Sequence, residues 1–182
     1  MEIAPNIHLI PALVGARPLQ LFLLLGDERT LLVDTGCAPD PEKYIFPYLN
    51  ELGMAPTDID MALITHCDVD HCGGNSALKR ANPNVLITCG DADRLLVEAP
   101  AVMWARRYDK FTELHGMSYP ESAKQWNMEM LGDATPVDWT WRGGESLLTS
   151  DKRSQPPRLL RQGGSAAGCV DVTRWGAGAD HG

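Results

Sequence analysis

Short apolar runs separated by turn residues fill the first third of the chain. IHLIPAL (7–13) and LQLFLLL (19–25) are broken by Gly, Arg and Pro, and Gly26-Asp27-Glu28-Arg29 leads into TLLVDTG (30–36). The spacing predicts a β-meander, and the nearly continuous apolar runs predict strands buried on both faces. The period then changes. In PDPEKYIFPYLNELGM (39–54), Tyr44, Ile45, Tyr48, Leu49 and Leu52 recur at helical spacing, Gly53 stands where a C-cap belongs, and Pro47 predicts a kink or a late start. MALIT (61–65) reads as a short buried strand, NSALKRAN (75–82) as a helix stopped by Asn82-Pro83, NVLITCG (84–90) as a strand and DADRLLVEA (91–99) as a helix. From about 100 to 131 the pattern is helical, and PVDWTWRGGESLL (136–148) reads as strand, turn, strand. Strands alternating with helices predict a layered α/β domain.

Beyond residue 148 the character shifts to Gly, Ser, Arg and Ala with little periodicity. Composition predicts a disordered or poorly packed tail over 149–182, in which only Leu159-Leu160 and 169–172 could join a sheet. The 182 residues suit a single domain, here placed at 1–148. A net charge of −8 argues against nucleic acid as the main partner, since phosphate binding needs a basic face. No apolar run reaches the roughly 20 residues that span a bilayer, so no membrane association is expected. The N-terminus has no basic segment before its apolar stretch, and the five cysteines are an odd number; both predict reduced thiols in the cytoplasm. Small-molecule substrates are the partners this leaves, and the oligomeric state is not legible.

Residues 65–74 read THCDVDHCGG. His66, Asp68, Asp70 and His71 are four candidate metal ligands in six positions, placed just after a buried strand, where α/β sheets carry their binding loops. His66 and Asp68 are two apart and project to one side of an extended chain, while Cys67 points away. Gly73 and Gly74 suit a sharp turn or a close pass by a bound ion. Imidazole with carboxylate suits zinc, and also iron or manganese. Asp70 alone could be explained as a helix cap, but four donors framed by a strand and Gly-Gly are hard to explain that way. Cys67 and Cys72 read as packing residues, with metal ligation as the alternative. The aromatics and methionines of 100–131, among them Trp104, Tyr108 and Trp126, read either as core or as a wall over the site.

LLVDTG (31–36) and LITHCDVDHCGGN (63–75) resemble the metallo-β-lactamase fold of hydrolases, whose mark is T-H-x-H-x-D-H-x-G-G after a buried strand with an upstream V-D-T-G turn. The resemblance covers about residues 1–148. It implies an αββα sandwich, incomplete at its C-terminal end, and one or two metal ions, zinc first, with iron or manganese as alternatives. His66 corresponds to the first histidine, Asp70 and His71 to the pair that holds the second metal, and Asp34 to the supporting aspartate. Asp70 would also orient the nucleophile as the catalytic residue. The implied activity is attack of a metal-activated water on an ester, thioester, amide or phosphoester. Two departures stand against it. Asp68 occupies a place usually held by histidine, and the family's later ligands have no clear counterparts. His8 reads as a core or edge residue, His115 is the one downstream candidate, and His181 is penultimate. The alternative implied is a catalytically inactive, truncated or degenerate member.

Overall fold

A computed structural model of the chain describes residues 1–148, 159–161 and 169–170. Seven strands form one sheet in chain order: β1 (Glu2–Ala4), β2 (Ile7–Val14), β3 (Arg17–Leu25), β4 (Thr30–Val33), β5 (Met61–Ile64), β6 (Leu86–Gly90) and β7 (Trp139–Trp141). β1 to β4 are antiparallel; from β4 on, every pair is parallel, with Leu31 beside Met61 and Ile64 beside Cys89. The switch follows from connection length. Gly15 and the Gly26–Arg29 turn close hairpins, whereas parallel neighbours need a long crossover carrying a helix.

The crossovers supply α1 (Phe46–Glu51), α2 (Val69–Cys72), α3 (Asn75–Ala81), α4 (Arg94–Glu98), α5 (Pro100–Trp104), α6 (Lys110–His115) and α7 (Glu121–Leu131). Pro47 shapes the first of these. A wide π-turn over Pro41–Ile45 precedes α1, and the Phe46 N–H donates back to the Pro41 carbonyl. Pro47 then sits in the first turn of α1, where its missing N–H removes no helical bond. Gly53 closes the segment at φ 72°, as the sequence predicts.

Expected burial on both faces holds for the parallel strands and fails for β2. Leu31 and Leu32 are both buried, facing opposite sides of the sheet: Leu32 joins Leu21, Leu23, Ile64 and Ile87 under the helices, while Leu31 packs with Met61 and Trp141 on the other face. In β2 the pattern alternates, with Ile10 and Ala12 buried and Leu13 52% exposed. An antiparallel edge region covered on one side produces that alternation whatever the hydropathy of its outer residues.

Residues 136–148 do form strand, turn and strand, but not a hairpin. β8 (Glu145–Leu148) leaves the large sheet and pairs antiparallel with β9 (Leu159–Arg161) and β10 (Cys169–Val170). Of the tail segments that could join a sheet, Leu159–Arg161 and Cys169–Val170 do; the rest of 149–182, with residues 171–172 and His181, lies outside the described residues. No helix among the described residues is long and apolar enough to cross a membrane.

Candidate metal centre

The site lies at the C-terminal ends of the first parallel strands, where β4 runs into Asp34 and β5 into Thr65 and His66. The crossover after β5 opens with α2, a single turn, so His71 folds back over the strand ends. Its carbonyl accepts from the Thr35 N–H at 2.9 Å, and the Gly74 N–H donates to the Gly36 carbonyl at 2.9 Å. The glycines serve this contact, and the sharp turn expected of them is absent. Gly73 and Gly74 have helical backbone angles and make no sharp turn. A Cβ on Gly73 would run into the Met130 carbonyl and lie 2.7 Å from that of Val69; on Gly74 it would meet the Thr35 carbonyl and Pro41. Close packing of the loop between the β4 turn and α7 requires them.

Asp34 organises the polar side of the loop. It is 5% exposed and holds φ 61°, a left-handed conformation uncommon for any residue but glycine. Its Oδ1 accepts from the Thr65 N–H at 2.8 Å, and its Oδ2 lies 2.8 Å from both the Thr65 hydroxyl and His71 Nδ1. A carboxylate only accepts, so the Thr65 hydroxyl spends its one proton on Asp34 and His71 Nδ1 carries a proton. Thr65 Oγ1, 3.0 Å from His66 Nδ1, must then accept there. His71 therefore turns Nε2 toward Asp70, while His66 Nε2 is engaged with Asp68. The two imidazole rings lie 3.9 Å apart between centroids. His71 Nε2 is 3.8 Å from Asp70 Oδ2, and His66 Nε2 is 3.4 Å from Asp68 Oδ2. Burial pushes His71 toward the neutral form, but the Asp34 hydrogen bond and the charges of Asp34, Asp70 and Asp68 outweigh it and raise its pKa. Asp68 is held below the usual carboxylate range by His66 and, against burial, by Arg107.

Arg107 is the residue that sequence reasoning missed. It projects from a π-turn, Ala105–Asp109, between α5 and α6, and its Nε stands 2.7 Å from Asp68 Oδ1. The N–H is not aligned with that oxygen, so Oδ1 has a charge partner but no hydrogen bond, although it is sealed from solvent. No periodicity or spacing signals a contact between segments so far apart in sequence. Thr65, by contrast, stood inside the motif.

The other sequence candidates resolve simply. Cys67 and Cys72 are buried with their thiols pushed up by burial, Cys67 to about 11, in keeping with packing residues. His8 is buried in β2 with Nδ1 2.9 Å from the Tyr48 hydroxyl. His115 is exposed at the end of α6, stacked on Phe111, away from the loop. Among the described residues, no three His, Cys, Asp or Glu side chains are gathered so as to hold a metal ion. The donor chemistry suits a metal, and three carboxylates against one guanidinium leave negative charge for a cation to neutralise. The geometry fits one only in part: Asp70 borders a cavity, while Asp68 is engaged by Arg107. A cavity of about 510 Å³ adjoins Asp68 and Asp70, walled by Arg17 of the β2–β3 hairpin, Tyr108, Trp126 and Asn127. The 100–131 segment is thus divided, with Met103 and Trp104 in the core and Tyr108 and Trp126 in the wall.

The chain thus has a mixed-sheet α/β fold with a His/Asp loop at the ends of its first parallel strands. The chain belongs to the metallo-beta-lactamase superfamily, whose family model matches residues 15–152. Solved structures agree. A metallo-beta-lactamase family protein from Thermus thermophilus superimposes with a TM-score of 0.58 at 23% identity, over 80% of this chain and 49% of that one. Native FEZ-1 metallo-beta-lactamase from Legionella gormanii gives 0.55 at 16%, over 78% and 45%. A metallo-beta-lactamase with a HARLDQ motif from Cronobacter sakazakii gives 0.54 at 16%, over 80% and 48%. These identities speak for the fold alone, and the chain spans about half the length of these structures. Curated protein sequences gave no match.

Proposed function

We propose that the chain is a metal-dependent hydrolase of its superfamily, acting on an ester, thioester, amide or phosphoester of a small molecule. The observation that carries this is the Asp34–Thr65–His71 network, which turns His71 Nε2 toward Asp70 and leaves His66 Nε2 beside Asp68. Such a carboxylate behind a histidine fixes the tautomer and raises the ligand's basicity. His66, His71 and Asp70 are the donors of this reading, with Asp68 a fourth that Arg107 contests. Zinc is the first choice of metal, one ion or two; iron or manganese would be favoured if Asp68 took part, because it adds a hard oxygen. When bound, such an ion lowers the pKa of a water from about 15.7 toward 7. Asp34 holds His71 in place, Asp70 orients the attacking water in the cavity wall, and Tyr108 and Trp126 cover one side of the substrate. Buried, reduced cysteines support a cytoplasmic location.

A second reading, a catalytically inactive member, is favoured by the Arg107–Asp68 pair and by the want of a three-donor group among the described residues. Metal analysis of the purified protein, with hydrolysis of generic nitrophenyl esters and thioesters, separates the two. The enzyme reading expects near-stoichiometric metal and turnover abolished in Asp70→Ala. Sub-stoichiometric metal, with turnover no greater than that of His66→Ala, leaves the inactive reading.

A further inference from the structure

Asp68 stands where a ligand loop would offer a carboxylate to a metal, yet its charge is already answered. Arg107 Nε lies 2.7 Å from Oδ1 and His66 Nε2 lies 3.4 Å from Oδ2. The pair is half-buried: the Arg107 side chain is 44% exposed and that of Asp68 29%, but Asp68 Oδ1 is sealed from water and Arg107 stands on a short turn between two helices. That turn is anchored in turn. Trp104, 3% exposed, donates its indole N–H to Asp109 at 2.7 Å and stacks on Tyr108 at 5.0 Å, so the segment carrying Arg107 is tied to the core on both sides of it. Lys110 lines the same small cavity as Arg107 and Asp68, adding a second cation at this end of the loop. A guanidinium cannot be neutralised by losing a proton at any working pH. A divalent ion brought to Asp68 would therefore meet a permanent like charge within a few ångströms.

We propose that Arg107 is a resident cation that takes the place of a metal ion at the His66–Asp68 end of the loop. Metal is admitted at the His71–Asp70 end, and Asp68 serves to dock the Ala105–Asp109 turn against the site. This rests on the metal-binding reading above and departs from it in one respect: Asp68 is not a ligand.

Equilibrium dialysis against zinc, with metal analysis of the retained protein, tests it in the full chain. Arg107→Gln, which removes the charge and keeps a polar side chain, is expected to bind zinc at least tenfold more tightly than the native protein. Arg107→Lys, which keeps the charge, stays within threefold of native, and the gain in Arg107→Gln disappears when Asp68→Asn is added. Asp68→Asn alone leaves the helical turn's sequence untouched and is expected to lose no more than threefold in affinity. Circular dichroism shows whether each variant is folded. A rise below tenfold in a folded Arg107→Gln, or a tenfold loss in Asp68→Asn, overturns the inference while leaving the metal-binding reading intact. Absence of zinc from every protein at millimolar concentration overturns both.

Discussion

Asp34 is held in a strained conformation by the partners it serves. A left-handed backbone costs an ordinary residue of order 1 kcal/mol or more, and here a buried carboxylate with three hydrogen-bonding partners holds it in place. Asp34→Ala keeps the strain, loses all three contacts and leaves the Thr65 N–H and His71 Nδ1 without them; we expect a loss of about 3 kcal/mol in urea unfolding. Asp34→Asn tolerates the backbone but offers Nδ2–H where His71 needs an acceptor, so it should fold better than the alanine variant yet bind metal about 10- to 100-fold more weakly than native. A similar contrast applies at Asp40, which is buried and accepts from the Cys37 N–H at 2.8 Å. Burial raises its pKa. The folded state therefore holds the proton at pH values where the unfolded chain, titrating near 3.9, has released it, and stability falls as pH rises through that window. Native protein should gain on Asp40→Asn as pH is lowered from 7 to 4, read from parallel denaturation curves; a constant difference would contradict the buried, raised carboxyl. At this scale the sequence was informative wherever chemistry was local. His66, Asp70 and His71 sit within one motif, and Asp34 was found through its turn. Arg107 was not, because an ion pair between segments that meet only after folding leaves no trace in spacing.

Elements hold the loop by backbone contact more than by side chains. α2 is one turn long, too short to be stable alone, and its position comes from the Thr35 and Gly74 bonds to neighbouring loops and from α7, whose Met130 carbonyl accepts from the Ala38 N–H at 2.7 Å. Gly73→Ala would drive a Cβ into that same carbonyl, so we expect about 3 kcal/mol of destabilisation, with metal affinity lost along with it. The start of the parallel sheet is fixed in a comparable way. Asn82, 3% exposed, follows α3 and donates to the carbonyls of Pro56 and Ile59 while accepting from the Asn84 N–H. Asn82→Ala should cost about 2 kcal/mol and leave zinc affinity unchanged, because it loosens the end of the sheet opposite the site. Helix and strand types were legible from apolar period, and Asn82-Pro83 was read as a stop. The buried cross-link made by the Asn82 side chain was not, since a cap and a tether look alike in one sequence. Nor was the departure of β8 into a second sheet: a Gly-Gly turn between two strand-like runs fits a hairpin equally well.

For the molecule as a whole, the question is whether metal builds the fold or only occupies it. The seven-stranded sheet carries two apolar clusters, one on each face, and the larger draws residues from Ile10 to Val137. His71 and Asp34 pair directly, and Arg107 answers Asp68. We therefore expect folding to be independent of metal, unlike that of small zinc domains, in which the binding energy is the folding energy. Prolonged dialysis against a chelator should leave the far-ultraviolet circular dichroism and cooperative melting intact. Zinc added at a hundred times its Kd should then stabilise the chain by about 2.7 kcal/mol through mass action alone. For a domain of this size, that is a rise in Tm of roughly 5–10 °C. A chelated protein that loses its cooperative transition would show instead that the ligand loop is a keystone of the sheet, and that the hydrogen bonds of Asp34 do not suffice to hold it.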